Sequence, residues 1–223
     1  MQFRHEVKHE ISSLDMYILR QRLKAVMVPD SHARGGRYEV RSLYFDNLDD
    51  KALREKLDGV SIREKYRIRL YNNDPSVIHL ERKFKQGGLG YKELALLTAK
   101  QAKQIVGGDI RWMAESTDEV ILGFYSRIRG EGLAAKVIVD YTREPFVFYP
   151  GNVRVTLDYN IRTALRCTDF LNTRCTTVPV PDSPCILEVK WDNFLPDVVR
   201  GMVQLGDRYR TAFSKYAACR MYD

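Results

Sequence analysis

The sequence predicts an α+β protein in which an antiparallel eight-stranded β-barrel carries helices on its outside. Three observations lead to this fold class. At least six segments alternate charged and apolar residues with the two-residue period of a β-strand. Segments between these strands place apolar residues at helical spacing, so helices can cover the apolar faces of the strands. The other strand faces are rich in Arg and Lys, and we expect them to line the interior of the barrel.

The composition fits one globular domain, which we place at residues 1–223. Hydrophobic residues make up 44% of the chain, an ordinary fraction for a protein with a folded core. The net charge of +7 indicates an anionic partner such as nucleic acid, polyphosphate, a nucleotide or a membrane surface. No apolar run approaches the ~18 residues of a transmembrane helix, and the first residues lack the apolar region of a signal peptide. We therefore expect a cytoplasmic protein that reaches a membrane only through a partner.

The central strand pair is predicted at residues 61–85, with a turn at residues 72–75. The first strand places four cations on one face and apolar or aromatic residues on the other. The two faces are Arg63, Lys65, Arg67 and Arg69 against Ile62, Tyr66, Ile68 and Leu70. In the second strand they are Glu81, Lys83 and Lys85 against Ile78, Leu80 and Phe84. A solvated sheet surface would explain one such hairpin, so the interpretation depends on whether other strands repeat the pattern.

Two strands and two helices are predicted before this hairpin. A strand at 3–11 alternates charged with apolar or aromatic residues. Ser12 and Asp15 then signal the capped start of a helix that ends before Pro29. A strand rich in aromatic and β-branched residues follows at 37–46, and a short helix at about 47–57 precedes the hairpin.

After the hairpin, a glycine-rich turn at 86–90 leads to a strand at 91–96. Helices are predicted from Thr98 to Gly107 and at 117–129, followed by paired strands at 135–149 and 153–158. The segment at about 168–184 is too irregular to assign. A strand at 185–191 and a helix that begins near Pro196 come next, and residues 213–216 form a short basic end.

The charged faces together predict a basic tunnel. If the strands close into a barrel with their apolar faces outward, the Arg and Lys side chains point inward. The inward carboxylates, Glu6, Glu81, Asp158 and Glu188, are too few to balance these cations. Because an uncompensated buried charge costs several kcal/mol, we expect a bound ligand to supply the missing negative charge. This ligand should be polyanionic, narrow and metal-bound.

Short motifs spread over almost the whole chain carry a resemblance to a known family. They are Glu6-x-Lys8, Ser42-Leu-Tyr-Phe-Asp46, Lys65-Tyr-Arg-Ile-Arg-x-Tyr71, Glu81-Arg-Lys83, Asp140-Tyr-Thr-Arg143, Arg154-Val-Thr-Leu-Asp158, Leu187-Glu-Val-Lys190 and Ser214-Lys-Tyr216. Each motif is weak alone, but in this order they resemble the polyphosphate polymerase (VTC) domain of the triphosphate tunnel metalloenzymes, in the CYTH-like superfamily. That superfamily usually opens with Glu-x-Glu-x-Lys, whereas this chain has Arg4 at the first position. The departure favours the polymerase branch and removes one possible metal ligand.

The resemblance implies a phosphotransferase that passes the terminal phosphate of ATP to a growing inorganic polyphosphate chain, assisted by Mn²⁺ or Mg²⁺. It assigns catalysis to Arg67, Arg69, Lys83, Arg143, Arg154 and Lys190. Phosphate binding is assigned to Lys8, Tyr141 and Lys215, and the strand pattern adds Arg63 and Lys65. Glu188 resembles the metal-holding carboxylate, and Glu6, Glu81 and Asp158 are further candidates for metal binding.

Two other functions stay open. A triphosphate hydrolase would use the same tunnel residues with water as the attacking group, so only its product would distinguish it from a polymerase. A nucleic-acid-binding protein would use the cations and the 13 tyrosines for backbone and stacking contacts. That function requires outward cations, whereas the apolar faces of these strands need covering. We therefore expect ATP and inorganic polyphosphate as partners rather than nucleic acid.

Overall fold

The structure is a computed structural model that describes residues 3–206 and 208–221. The predicted domain at 1–223 therefore includes residues 1–2, 207 and 222–223, which lie outside the described residues. The helices in the described part are α1 (Ser13–Val26), α2 (Lys51–Leu57), α3 (Ala99–Val106), α4 (Glu119–Glu131), α5 (Asp197–Val203) and α6 (Lys215–Arg220). The strands are β1 (His5–Ile11), β2 (Val28–Pro29), β3 (Tyr38–Asp46), β4 (Arg63–Tyr71), β5 (Asp74–Gln86), β6 (Leu89–Leu97), β7 (Ala134–Phe148), β8 (Val153–Thr163), β9 (Val178–Pro179) and β10 (Cys185–Trp191).

Eight strands form one curled antiparallel sheet in the order β1-β10-β8-β7-β3-β4-β5-β6. The short strands β2 and β9 pair with β7 and β8. Helix α1 begins at the predicted capping box, in which the Ser12 side chain and the Asp15 side chain each accept a backbone hydrogen bond of the other residue. The predicted α+β fold, with eight antiparallel strands and helices packed around them, is confirmed.

The two end strands of this order, β1 and β6, meet at a backbone bridge between Arg4 and Gly90. In an antiparallel bridge the two chains run in opposite directions, so the residues that follow Arg4 lie opposite the turn that precedes Gly90. Strand β1 therefore does not continue to pair with β6. Within the described residues, the backbone hydrogen bonds between these two end strands are those of the Arg4–Gly90 bridge. The sheet is therefore a half-barrel with a partly open seam.

Helices cover the outer, apolar faces of the strands in two clusters. In the first cluster, α3 and α4 cover part of the sheet, and Ile68, Leu80 and Phe124 are fully buried. In the second cluster, α1 and α5 cover β8 and β10, with Leu19 and Leu157 fully buried. Each such side chain contributes roughly 1.5–3 kcal/mol when it leaves water. The alternation along the strands thus fixes which face turns outward and leaves the charged face inside.

The interior is not charged throughout, which corrects the expectation of a fully basic tunnel. The chain end that was predicted as a short basic segment continues into helix α6. This helix packs against the inner faces of β3 and β7, where Tyr216 and Cys219 join Val40, Val137 and Val139 in a buried apolar cluster. We call this cluster the inner apolar core. It fills one side of the interior and leaves a cavity on the other side.

Candidate active site in a cation-lined cavity

A cavity of about 400 Å³ lies inside the half-barrel, beside the inner apolar core. Every residue that the sequence assigned to phosphate binding or transfer lines it. These residues are Lys8, Arg63, Lys65, Arg67, Arg69, Lys83, Tyr141, Arg143, Arg154, Lys190 and Lys215. Among the predicted metal ligands, Glu6 and Glu188 also line the cavity, whereas Glu81 and Asp158 lie behind its surface. The strand pattern therefore brings residues from distant parts of the chain to one site.

Glu81 holds the two arginines of β4 in place. It is fully buried, and its Oε2 accepts a 2.6 Å hydrogen bond from Arg67 Nε and lies 3.7 Å from Arg69 Nη1. Burial raises the pKa of Glu81, but the two arginines lower it more, so its pKa lies well below the usual range and the carboxylate is charged. Ser42 accepts a further hydrogen bond from Arg69 Nε at 2.9 Å. These contacts favour an orienting role for Glu81.

Asp158 does the same for a second pair of cations. Its two oxygens accept hydrogen bonds of 2.7 and 2.6 Å from the Arg143 guanidinium, and Oδ2 accepts one of 2.6 Å from Lys215 Nζ. Asp158 is fully buried, which raises its pKa, but Arg143 and Lys215 together lower the pKa to about 2. Because Lys215 is the first residue of α6, this ion pair also attaches the helix to the wall of the cavity.

Glu6 and Glu188 lie at the cavity surface among lysines. Glu188 Oε1 is 2.6 Å from Lys190 Nζ, and its Oε2 is 3.3 Å from Lys8 Nζ. Glu6 Oε2 accepts a 2.8 Å hydrogen bond from Lys83 Nζ. Burial raises the pKa of each carboxyl, but the surrounding lysines lower it more, so both carboxyls are ionised. The strand register explains the cluster, because Glu6 lies opposite Lys190 and Lys8 lies opposite Glu188.

These two carboxylates fit a divalent metal that arrives together with phosphate. Mg²⁺ is typically held by one or two carboxylates plus substrate phosphate oxygens, and Glu6 and Glu188 offer hard oxygen ligands of this kind. Among residues 3–206 and 208–221, no group of three or more His, Cys, Asp or Glu side chains is placed to hold a metal alone. The donor set is therefore suited to a metal ion that is shared with the substrate.

Tyr44 is a feature of the cavity that the sequence analysis did not assign. Its hydroxyl accepts a 2.8 Å hydrogen bond from Arg67 Nη1, and Lys65 Nζ lies 5.2 Å from the centre of its ring. Burial raises the pKa of Tyr44, but Arg67, Lys65 and Arg69 lower it to about 7. Burial and the neighbouring Arg67 lower the pKa of Lys65 to about 8, although Tyr44 opposes this shift. The cavity is thus electropositive enough to ionise a phenol near neutral pH.

The cavity lining also includes three lysines that the sequence analysis did not assign, Lys56, Lys85 and Lys92. Alternation places Lys85 on the charged face with Lys83 but does not by itself give it a role, and Lys92 lies opposite Lys83 in the register of β5 and β6. Lys56 had no such signal because it belongs to helix α2.

At the edge of the cavity, Arg154 Nη2 donates hydrogen bonds of 2.7 Å to Asp30 and 2.6 Å to the Tyr38 hydroxyl. The complete lining can bind, neutralise and orient several linked phosphate groups.

The fold and the cation-lined cavity define a protein of the triphosphate tunnel class. The model of the VTC domain family matches residues 3–222, and the chain belongs to this family. A candidate adenylyl cyclase from Hippeastrum, described as having a dominant triphosphatase activity, has a similar fold, with a TM-score of 0.55 and 13% identity over 99% of this chain and 96% of that chain. A candidate adenylate cyclase from Bacillus halodurans is similar with a TM-score of 0.50 and 15% identity, over 85% of this chain and 80% of that chain.

No curated protein matches the sequence. In the described residues, none of the helices combines the length and apolar character needed to cross a membrane.

Proposed function

We propose that this chain transfers the terminal phosphate of ATP to a growing inorganic polyphosphate chain inside the cavity. The observation that carries the proposal is the convergence of arginines and lysines from seven strands and from helices α2 and α6 on one interior space in a VTC-family protein. A bare phosphate chain is thin enough to be surrounded there, and its charge would compensate the cations. Phosphoryl transfer needs mainly charge neutralisation and in-line positioning, which such a lining can supply.

The two kinds of cation would do different work. Arg67, Arg69 and Arg143 are held rigidly by Glu81 and Asp158, so they would fix the positions of phosphate oxygens through their paired N–H groups. Lysines such as Lys83 and Lys190 are point charges on flexible chains. They would follow the transferring phosphate and stabilise the charge that develops on its oxygens.

When bound, Mn²⁺ or Mg²⁺ would be held by Glu188 and Glu6 together with phosphate oxygens, and it would supply additional charge neutralisation. Ionised carboxylates at neutral pH are the form that binds a metal, and the lysines around Glu6 and Glu188 keep both in that form. Substrate phosphates would in turn draw the lysines away from the carboxylates. Substrate and metal binding should therefore depend on each other.

The second candidate function is triphosphate hydrolysis, in which water replaces the end of the polyphosphate chain as the attacking group. It is favoured by the fold similarity to the Hippeastrum protein, for which triphosphatase activity is described. The same cavity residues would bind the substrate in both reactions. The inward direction of the cations gives no comparable support for nucleic-acid binding, because a nucleic acid carries a sugar and a base on every phosphate and would be bound better by outward cations.

Incubation of the pure protein with ATP and Mn²⁺, followed by gel electrophoresis of the products, tests the proposal. A polymerase forms ADP and a ladder of polyphosphate chains. Release of ADP and free phosphate without a ladder would favour the hydrolase. The Glu188→Gln variant should form neither product, which excludes a contaminating enzyme as the source.

A further inference from the structure

Helix α2 contributes a cation to the cavity from outside the sheet. Lys56 and Ala52 both line the cavity, and their spacing of four residues places them on one face of the helix. Lys51, five residues earlier on the same helix, instead has a half-exposed side chain that pairs with Glu131 on α4 at 2.9 Å. The helix thus directs one lysine inward and another outward.

The position of α2 is fixed by its neighbours. The Asp46 carboxylate accepts backbone hydrogen bonds of 2.9 Å from Ala52 and 3.0 Å from Leu53. The same carboxylate accepts a 2.7 Å hydrogen bond from the hydroxyl of Tyr216 on α6. Helix α2 is therefore tied to the helix that carries Lys215, and Lys56 is held at the cavity by a supported element.

Lys56 belongs to a group of cations without carboxylate partners. In the described part of the chain, no carboxylate oxygen lies within 4.0 Å, the limit for an ion pair, of a side-chain nitrogen of Lys56, Arg63 or Lys65. By contrast, Lys8, Lys83 and Lys190 share Glu6 and Glu188. Burial, together with Arg63, Lys8 and Lys85, lowers the pKa of Lys56, so these cations lie close enough to repel one another. A bound anion would supply the negative charge that no carboxylate provides here.

We propose that Lys56, Arg63 and Lys65 form an outer phosphate subsite, and that Lys56 makes the cavity prefer long polyphosphate over triphosphate. The cations that share carboxylates would hold the terminal phosphates together with the metal. The outer subsite has no carboxylate to hold a metal or to repel phosphate, so it would bind phosphates further along the chain. This inference rests on the proposed function, because it assumes that a phosphate chain occupies the cavity.

The test compares the affinities of triphosphate and long-chain polyphosphate for wild type, Lys56→Gln and Lys51→Gln. Lys51→Gln is the control, because it removes one positive charge from the same helix at a residue that does not line the cavity. Lys56→Gln should weaken the binding of long-chain polyphosphate about threefold to fivefold, the range for a partly exposed charge pair, and leave triphosphate binding unchanged. Lys51→Gln should bind both ligands like wild type. Thermal unfolding of both variants checks that α2 stays in place.

The inference is overturned if Lys56→Gln binds long-chain polyphosphate as tightly as wild type does. It is also overturned if this variant weakens the binding of both ligands equally, because Lys56 would then belong to the triphosphate site. If wild type binds triphosphate but does not prefer the long chain, only the outer subsite is lost and the proposed function stands. If wild type binds neither ligand, the proposed function fails together with the inference.

Discussion

The two sides of the interior are built from the same sheet but differ in what they contribute. On one side, α6 covers Val40, Val137 and Val139 and excludes water. On the other side, cations face an open cavity, and four buried or half-buried carboxylates partly compensate them. Burying apolar groups stabilises the fold, whereas holding like charges together costs free energy that a bound polyanion would return. Substitutions on the two sides should therefore change different quantities.

Loss of the Tyr216 side chain should have the largest effect on stability. Tyr216 is fully buried, stacks on Tyr44 with ring centres 5.1 Å apart, and donates to Asp46. Tyr216→Ala should lower the free energy of unfolding by about 3 to 5 kcal/mol, as measured by urea denaturation. Tyr209→Ala is a matched control, because that side chain is 87% exposed and should change stability little. Equal losses in the two variants would contradict the inner apolar core.

Replacement of Glu188 should affect the reaction more than the fold. Glu188→Gln keeps the size of the side chain but removes the charge that would hold a metal beside Lys8 and Lys190. Turnover that depends on Mn²⁺ should fall by about 100-fold or more, because charge stabilisation in the transition state is lost. Steady-state rates across a series of Mn²⁺ concentrations, with exposed Glu115→Gln as the control, measure this. Unaltered turnover at limiting Mn²⁺ would falsify the metal-binding role.

The arginines of β4 should contribute to binding from inside the sheet. Removing Arg67 or Arg69 should weaken triphosphate binding by roughly 1.5 to 3 kcal/mol, the range for hydrogen bonds to charged groups. Calorimetric titration of Arg67→Gln and Arg69→Gln measures the loss. Exposed Arg54→Gln removes the same charge from the outer surface and should bind like wild type. Affinities of the two β4 variants within error of wild type would place these arginines outside the binding site.

Ionisation of Tyr44 should give the smallest but most local signal. Since its pKa is lowered from 10.0 to about 7, the phenolate is favoured in the folded state. This group therefore adds stability as the pH rises from about 7 towards 10, and that contribution is lost as the pH falls through 7. A near-ultraviolet titration should show tyrosinate absorbance near pH 7 in wild type but not in Tyr44→Phe. Triphosphate should reduce this absorbance at pH ~8 by neutralising Arg67 and Lys65, and an unchanged signal would contradict a shared cavity.

The alternation of charged and apolar residues predicts the eight strands of the sheet and most of the cations that line the cavity. Along β4, outward Ile68 is buried under helices while Arg67 and Arg69 face the cavity, because a strand with one apolar face has only one favourable orientation. The roles of these residues in binding and transfer stay predictions. The capping box at Ser12 and the cap at Thr98 likewise gave correct helix starts, since the signal is local in the chain.

Features that depend on distant contacts were not predicted. Helix α6 has only six residues, so its stability comes from Tyr216 and Cys219 packing on the sheet rather than from helix propensity. The open seam depends on the register of Arg4 against Gly90, which alternation does not determine. The sequence places Tyr44 in a strand rich in aromatic residues and gives no sign of its lowered pKa. The pKa is lowered because the pairing of β3 with β4 puts Tyr44 opposite Arg67.

Competition between polyphosphate and nucleic acid tests most directly whether the cations act from inside a narrow cavity. Labelled polyphosphate is bound to the protein at ~0.15 M salt and is challenged with unlabelled polyphosphate or a single-stranded oligonucleotide of equal phosphate concentration. The account predicts that only polyphosphate displaces the label, because the sugar and base attached to every phosphate of a nucleic acid would keep its backbone from being surrounded by the inward cations. Equal displacement by the oligonucleotide would contradict it, since an open basic surface binds both polyanions.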